Sequence, residues 1–235
     1  MITVDTIDRT TADRIIKENH YSKTVCFSTS VSLGIFWKGM LCGVAQFGYG
    51  INPKGSSKWV DGSTYHDYLE FNRMWLSDIA PHNSESKAIG LIFKWFRKNR
   101  PDIKWLLSFA DGANGKVGTI YQATNWIYTG YNRQGGVWVT SDGTRITQKT
   151  MIDKHKSTKR DLLESIYGTP LYRVRGGQFR YIYFLDKKWR KRLTVEPQAY
   201  PKLDLLDKYL IIYKQHQVKE NLLDEYLSLI MKQYP

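Results

Sequence analysis

The sequence contains little cysteine and no long apolar run. Of its 235 residues only Cys26 and Cys42 are cysteines, and neither stands in a CxxC or Cys/His spacing. A structural zinc site and a disulfide framework are therefore not indicated, and we expect two buried free thiols. No stretch approaches the ~20 apolar residues of a membrane-spanning helix, and the N-terminus lacks a charged-then-apolar signal pattern. We expect a protein that stays in the cytoplasm of the cell that makes it.

Acidic residues are scarce relative to basic ones. The chain has 22 Asp plus Glu against 35 Lys plus Arg, a formal net charge of +13. A surface field of this sign attracts polyanions and raises their association rate, so nucleic acid is the first partner to consider. The alternative is that the excess lysine keeps the protein soluble. Hydrophobic residues make up 42% of the chain, which is enough for a core and excludes a disordered basic tail.

The length suits one large core with appended elements. We predict an α/β (α+β) fold, a mixed sheet flanked by helices, with a core at residues 1–150 and a basic extension at 151–235 packed on it. The β–α–β–α–β order of the middle favours neighbouring strands with helices on the faces of the sheet. The predicted elements are a strand at 2–7, a helix at 12–19, a hairpin at 31–47 turning at Lys38-Gly39, a strand at 68–76, a helix that is capped by Asn83-Ser84 and ends before Pro101, a strand at 104–110, a short helix after a glycine-rich turn, and a strand at 126–131.

The last third has a different pattern. A hairpin is predicted around Asp142-Gly143, a basic helical segment at 153–168, and a strand with alternating aromatic residues at 178–186. After two prolines, residues 203–230 have the apolar spacing of a helix.

Polar residues interrupt two predicted strands. Glu70, Asn72 and Arg73 stand in an otherwise apolar strand, where burying them is costly unless each is paired or used. An internal salt bridge between Glu70 and an arginine is the alternative. Asp111 closes another buried strand, at the end where α/β sheets present ligand-binding groups. It could equally be a cap on the following helix.

The helix start at Asn83-Ser84-Glu85-Ser86 is a candidate anion site. Its first N–H groups and the helix dipole suit a phosphate or a developing negative charge, although many such starts are only well capped. The histidines have no HxH or HxxxH pairing, so the sequence alone indicates no metal site.

Arginines and aromatic residues alternate in YRVRGGQFRYIYF, and the run KKWRKR follows closely. This combination suits phosphate contacts and base stacking, and the alternative is an edge strand protected by charge. The candidate DNA-binding residues are Arg173, Arg175, Arg180, Lys187, Lys188 and Arg190.

Three segments in order, EFNRMWL, NSES and SFADGANGKVGTIYQATNWIYTG, resemble the Mom family of phage DNA-modification proteins, which have a GNAT-like (N-acetyltransferase-related) fold. The similarity includes the HYS element at His20. It implies modification of adenine in double-stranded phage DNA at the exocyclic N6, with an acetamido or methylcarbamoyl group that blocks host restriction. It also implies that Asp111 and Tyr121 belong to the active site, together with Arg73, Ser86 and His20.

The sequence departs from the wider GNAT superfamily at one place. Members that use acetyl-CoA carry a Q/R-x-x-G-x-G/A turn, whose N–H groups hold the pyrophosphate, whereas this chain reads PHNSESKAIG with only Gly90 far along the helix. We expect the usual coenzyme A cradle to be absent or rebuilt, with Asn83, Ser84 and Ser86 as candidates for holding a cofactor.

The carbon donor is open. Acyl-CoA stays a candidate cofactor, and so does iron, with which the family is associated. Asp111, Tyr121 and His20 are residue types that bind metals.

Adenine N6 is a weak nucleophile, because its lone pair is delocalised into the ring. Transfer therefore needs an electrophilic donor, orientation and a proton acceptor. We predict that Asp111 or Tyr121 takes the proton, and that Arg73 or the helix start at Ser86 stabilises negative charge.

Inside a duplex N6 is paired, so we predict that the target base is flipped out and stacked on Trp126 or Tyr128. Two other functions stay open, an acyl-CoA N-acetyltransferase acting on a protein or small molecule and a DNA-binding protein without catalytic activity. Tight acetyl-CoA binding would favour the first, and chemically unchanged DNA would favour the second.

Overall fold

The computed structural model describes residues 1–50, 52–112, 115–133, 137–141, 144–146, 151–175, 177–202, 211–214 and 217–218. Twelve strands lie in this part of the chain: β1 (Ile2–Thr6), β2 (Thr29–Trp37), β3 (Met40–Gly48), β4 (Tyr68–Leu76), β5 (Trp105–Asp111), β6 (Ile127–Arg133), β7 (Val137–Val139), β8 (Arg145–Ile146), β9 (Tyr172–Arg175), β10 (Gly177–Phe184), β11 (Ile211–Lys214) and β12 (Gln217–Val218). The α-helices are α1 (Arg9–Asn19), α2 (Pro53–Ser57), α3 (Ser84–Asn99), α4 (Thr119–Gln122) and α5 (Arg160–Tyr167), and a 3-10 helix spans Lys187–Arg192.

The chain divides into two compact units. The first comprises residues 1–109, 119–129 and 180–198, and the second comprises 110–118, 130–179 and 199–235. The predicted division into a core at residues 1–150 and an extension at 151–235 stays a prediction.

The larger sheet has seven strands in the order β1-β2-β3-β4-β5-β10-β6. Strands β1 to β4 pair antiparallel, whereas β4 and β5 pair parallel. The predicted α+β class, a mixed sheet flanked by helices, is confirmed. The expectation that β5 and β6 are neighbours is wrong, because β10, a strand from late in the chain, lies between them.

The β2–β3 hairpin turns where the sequence predicts. Lys38 and Gly39 both have positive φ, 51° and 82°. This is the backbone shape that two-residue hairpin loops favour, and glycine adopts it without a steric penalty.

A β-bulge interrupts the β3–β4 pair. Gln46 pairs with Arg73 and Phe47 with Phe71, which leaves Asn72 as the extra residue of β4. Phe71 stacks on Phe47 with ring centroids 4.4 Å apart, and Phe47 in turn contacts α3. Because a bulge shifts the alternation of side chains, polar residues on both sides of it can point away from α3.

Each face of this sheet packs on a helix. The α1 side buries Ala12, Ile15, Ile16 and Val44, with Ile7, Val25 and Trp75 against them. The α3 side buries Ile35, Cys42 and Ala88, with Met74 and Leu76 among the residues packed on them. Both cysteines are free, and Cys26 is half-buried rather than buried.

The second unit contains a smaller sheet in the order β12-β11-β9-β7-β8. The predicted hairpin corresponds to the β7–β8 pair, whose Asp142-Gly143 tip lies outside the described residues. Leu163 of α5 packs with Ile146, Met151 and Leu171.

The helix predicted at 203–230 is contradicted at the positions that the structure describes, where β11 pairs antiparallel with β12 and β9. The rest of that segment lies outside the described residues. Within the described chain, no helix has both the length and the apolar character needed to cross a bilayer.

Candidate active site

The polar residues of β4 lie on the α1 side of the sheet. Phe71 faces α3, so its neighbour Glu70 points the other way. Asn72 Nδ2 donates to Glu70 Oε1 over 3.3 Å, which places both side chains together. Arg73 reaches the loop that follows α1, where its Nε donates to the Thr24 carbonyl over 3.1 Å. The bulge thus brings all three polar residues to one side, where strict alternation would separate Arg73 from the other two.

Strands β4 and β5 stop pairing beside these residues. Their register covers only three positions, ending at Glu70 opposite Leu107. At the next position the Ser108 hydroxyl is 3.0 Å from the Phe71 carbonyl and 2.8 Å from the Tyr121 hydroxyl. Since the carbonyl can only accept, Ser108 donates to it and accepts from Tyr121. The Ser108 hydroxyl therefore donates to the Phe71 carbonyl at the first position beyond the β4–β5 pairing.

The Glu70 carboxyl is held in a setting that favours its neutral form. Burial raises its pKa to about 7, and this effect outweighs the Asn72 hydrogen bond and the Arg73 charge, which lower it. Gly50 lies directly against the carboxyl, since a Cβ there would be 2.2 Å from Oε2. A carboxyl with a pKa near 7 can both accept and release a proton at neutral pH, which is the property of a general base.

Two buried amide oxygens on the α1 side of β3 and β4 accept no hydrogen bond from the described part of the chain. Gln46 Nε2 donates to Asp13 of α1 over 2.6 Å, and Asn72 Nδ2 donates to Glu70. The Oε1 of Gln46 and the Oδ1 of Asn72 are buried, and the described residues supply no hydrogen-bond partner for either. Buried acceptors of this kind are costly unless a ligand or water donates to them.

His20 ends α1 and is buried next to this cluster. Its Nδ1 accepts from the Ser22 backbone N–H over 3.1 Å. Burial, with smaller effects from the charges of Arg73 and Lys23, lowers its pKa to about 4. The imidazole is therefore neutral at physiological pH and carries its proton on Nε2.

Tyr121 of α4 belongs to the same unit. Burial is the main cause that raises the pKa of its hydroxyl, and the charge of Glu70 adds to it. Its ring packs on Trp126 and Tyr181, with centroids 5.2 Å away in each case. The phenol therefore stays protonated and suits hydrogen-bond donation better than proton abstraction.

The start of α3 contains three further residues predicted for the site, and their polar groups make local contacts. Ser84 and Ser86 at the start of α3 direct their hydroxyls to the carbonyls of Pro81 and Asn83. Asn83 has a left-handed φ of 63° and makes no side-chain cap. This turn contains no glycine and its hydroxyls bond its own backbone, so it does not fit the usual coenzyme A cradle.

Asp111 is the last residue of β5 and lies in the second unit. Its carbonyl accepts from the Lys116 N–H over 3.2 Å, and the Gly115 N–H donates to the Gly112 carbonyl over 3.1 Å. Positions 113 and 114 lie outside the described residues. In the described residues no three His, Cys, Asp or Glu side chains group as a metal site would require. We therefore assign no step to iron.

The base-stacking prediction for Trp126 and Tyr128 is wrong for this structure. Trp126 is fully buried and Tyr128 is 4% exposed. Trp126 lies among other rings, including those of Phe71 and Phe93. Neither ring presents a face on which a base could stack.

The structure describes the side chains of four of the six candidate DNA-binding residues, and one of these four is buried. Arg180 is buried, donates from Nε to the Thr129 hydroxyl over 2.8 Å and from Nη2 to the Thr129 carbonyl over 2.6 Å, and lies 4.3 Å from the Trp59 ring centre. In contrast, the 3-10 helix exposes Lys187, Lys188, Arg190 and Lys191, which line a shallow open depression. The backbones of Arg173 and Arg175 lie in β9, and their side chains are outside the described residues.

Sequence reasoning singled out Glu70 but gave it no role, and it missed Ser108, Gln46 and Gly50. Ser108 and Gln46 are polar residues inside apolar strands, the same signal that marked Glu70. Gly50 has no such signal, because only the folded chain places it against the carboxyl.

Comparisons with known proteins agree with the family resemblance. The model of the Mom protein family matches residues 1–202. The methylcarbamoylase mom of Escherichia phage Mu is 35% identical over 202 residues, covering 85% of this chain and 83% of the phage protein.

Solved acetyltransferases are also similar to the chain, with low sequence identity. An N-acetyltransferase from Staphylococcus aureus is 10% identical, with a TM-score of 0.45 over 79% of this chain and 99% of its own. NAA60 of Arabidopsis thaliana, solved in complex with acetyl-CoA, is 11% identical, with a TM-score of 0.48 over 78% and 99%. Similarity at this level concerns the fold and does not transfer an activity. The match over residues 1–202, together with the phage Mu relative, establishes that this chain belongs to the Mom protein family.

Proposed function

We propose that this protein is a DNA-modifying transferase that adds an acetamido or methylcarbamoyl type of group to adenine N6 in double-stranded phage DNA, and so protects that DNA from restriction. The observation that carries the proposal is the Glu70 carboxyl, with a pKa near 7, where β4 and β5 part. The phage Mu relative, named a methylcarbamoylase, supports the type of group transferred.

Glu70 acts as the proton acceptor. The N6 nitrogen attacks an electrophilic carbon of the donor, the new N–C bond forms, and the bond from that carbon to its leaving group breaks. The proton that N6 loses passes to the Glu70 carboxylate, whose pKa lies close to the working pH. The amide oxygen of Asn72, whose side chain bonds Glu70 and which lacks a donor, can accept the second hydrogen of the adenine amino group and hold it in place.

The surrounding residues position and stabilise the reacting groups. Arg73 supplies a positive charge beside Glu70, and neutral His20 supplies an Nε2–H donor without adding charge. Tyr121 holds Ser108 at the point where the strands separate. Ser86, by contrast, is proposed only through the resemblance and the position of its helix start.

Asp111 stays a proposed member of the active site on the same basis, because it stands in the motif that matches the family. It is an alternative proton acceptor to Glu70. The two assignments differ in a testable way, because each predicts which carboxyl is essential.

The exposed lysines and arginine of the 3-10 helix contact DNA phosphates. Their cations lie at the surface and bind a polyanion without loss of internal contacts. Arg180 does not share this role, because its guanidinium bonds Thr129.

The test is mass spectrometry of nucleosides from plasmid DNA after expression of the protein in bacteria. Wild-type protein should yield a heavier adenosine species, and the plasmid should resist restriction enzymes that read adenine. Glu70→Gln keeps the size of the side chain and removes the base, so it should lower modification by roughly 10²–10⁴-fold. Glu196→Gln, which changes an exposed carboxyl with no role in the candidate site, is the matched control and should modify as wild type.

Each other outcome has a defined meaning. Full activity of Glu70→Gln with loss of activity in Asp111→Asn would move the proton acceptor to Asp111. Unmodified DNA with well-folded wild-type protein, combined with tight acetyl-CoA binding, would instead support the N-acetyltransferase. Unmodified DNA with tight DNA binding would support a protein that binds DNA without modifying it.

A further inference from the structure

One aromatic side chain is fully presented to solvent. Phe27 is 96% exposed, whereas the next most exposed aromatic residue in the described chain, Tyr200, is 41% exposed. Phe27 carries no polar group that water could stabilise. Single exposed apolar residues are common on protein surfaces, so exposure alone assigns no role.

The backbone under Phe27 is held firmly. Arg9 of α1 donates from Nη2 to the Phe27 carbonyl over 2.9 Å and to the Cys26 carbonyl over 3.3 Å. The Thr29 hydroxyl donates to the Cys26 carbonyl over 2.8 Å. Because these hydrogen bonds order the loop, the Phe27 ring can bind a partner with little further loss of backbone conformational entropy.

This loop borders the candidate active site on two sides. Thr24 accepts from Arg73, and Ser28, which follows Phe27, exchanges hydrogen bonds with Tyr49. Tyr49 precedes Gly50, whose Cβ position is 2.2 Å from the Glu70 carboxyl. Phe27 thus stands on the rim of the region that contains the proposed proton acceptor.

The charges nearby favour a polyanion. The segment from Arg9 to Lys23 has four basic and two acidic residues, on a chain of net charge +13. An exposed apolar ring on a chain of this net charge suits base pairs between two phosphate strands better than an apolar protein partner.

We infer that Phe27 is a wedge that enters the base stack of duplex DNA and fills the space left by the flipped target adenine. The inference rests on the proposed function, because it names how the same site obtains a base that is otherwise paired. Enzymes that act on a base must extrude it and bear the unstacking energy, and apolar wedges between base steps are a known way to offset that energy. No covalent step is involved.

The test uses purified full-length protein and a mixed-sequence duplex in which 2-aminopurine, an adenine analogue that brightens when unstacked, replaces several adenines. Wild-type protein should raise its fluorescence several-fold, and Phe27→Ala should not. Phe27→Ala should also bind the duplex roughly tenfold more weakly, while its affinity for the single strand stays within about twofold of wild type, because a single strand needs no unstacking wedge. Phe27→Trp should retain the fluorescence rise.

Met40→Ala, a change of another exposed apolar residue, is the matched control and should behave as wild type. Equal fluorescence and duplex affinity for Phe27→Ala and wild type would overturn the wedge, as would a wild-type protein that leaves the fluorescence unchanged. A Phe27→Ala change in the sedimentation of free protein, with no change on DNA, would point to self-association instead. Nucleoside mass spectrometry of wild-type samples reports the proposed function separately, so the wedge can fail while DNA modification stands.

Discussion

The polar side of β4 and the 3-10 helix at Lys187–Arg192 are both rich in charge, but they place it differently. On β4 a carboxyl is held out of water until its pKa rises to about 7. On the 3-10 helix the basic side chains are exposed. Burying an ionisable group costs free energy but shifts its pKa, which can suit it to proton transfer. An exposed charged group costs little free energy and only attracts groups of opposite charge.

Arg180 shows that composition does not distinguish these settings. It lies only seven residues before Lys187, the first of the exposed candidates, and yet it is buried against Thr129 and Trp59. Burial lowers its pKa, in line with a guanidinium removed from water. The exposed residues Lys187, Lys188 and Arg190 are therefore available to bind DNA, whereas Arg180 stabilises the fold.

The largest effect should come from Arg180→Ala. Removal of the guanidinium leaves the buried Thr129 carbonyl without its donor and leaves space beside Trp59, so the free energy of unfolding should fall by about 2–4 kcal/mol. Lys188→Ala, at the surface, should change it by less than about 0.5 kcal/mol. Urea unfolding of both variants measures the contrast, and equal stabilities would contradict the buried role of Arg180.

The next effect concerns pH. Glu70 has a folded pKa of about 7, above the ordinary 4.5, so the folded state binds more protons between these values, and the wild type loses stability as pH rises through that window. His20 acts oppositely, because its folded pKa of about 4 lies below 6.5 and stability falls as pH drops through that range. Glu70→Gln removes only the first dependence. The free energy of unfolding of Glu70→Gln minus that of wild type should therefore rise by about 1–3 kcal/mol between pH 4.5 and pH 7.5. Urea unfolding at both pH values measures this difference, and a difference that does not change with pH would show that Glu70 ionises normally.

A triple change of Lys187, Lys188 and Arg190 to alanine should weaken duplex binding roughly tenfold at moderate salt. Each phosphate contact contributes about 0.9 to the slope of log affinity against log salt, so the slope should become shallower by up to about 2.7. Thermal stability should be unchanged, since these side chains are exposed. Fluorescence anisotropy at several salt concentrations measures the slope, and an unchanged slope would place the DNA on another surface.

The smallest effect should come from Gly50→Ala. The added methyl group would lie 2.2 Å from Glu70 Oε2, so the carboxyl must move and modification should drop by about fivefold. Gly90→Ala, in the open middle of α3, is the matched control and should be neutral or stabilising by up to about 1 kcal/mol. The amount of modified adenosine per plasmid measures the effect of each variant. Full activity of Gly50→Ala would show that modification does not depend on the position of the Glu70 carboxyl.

Much of the fold could be predicted because local patterns are strong there. Apart from α2, which was not predicted, the strands and helices of the first 130 residues follow from apolar periodicity, and the β2–β3 turn follows from Lys38-Gly39. For the site, the cost of burying Glu70, Asn72 and Arg73 was the useful signal. The same reasoning could not locate Gly50 or Ser108, since each matters through a contact with a residue distant in sequence.

By itself, the sequence determined the family, the α+β class and the presence of costly polar residues in β4, because periodicity, composition and motif are local properties. Only the tertiary structure decided that β10 enters the sheet between β5 and β6, that a bulge at Asn72 gathers three polar residues on one side, and that Arg180 and Trp126 are buried. These features depend on pairing and packing between segments far apart in the chain, and on the desolvation that follows. The pKa values of Glu70 and His20 arise in the same way, from burial that no local pattern encodes.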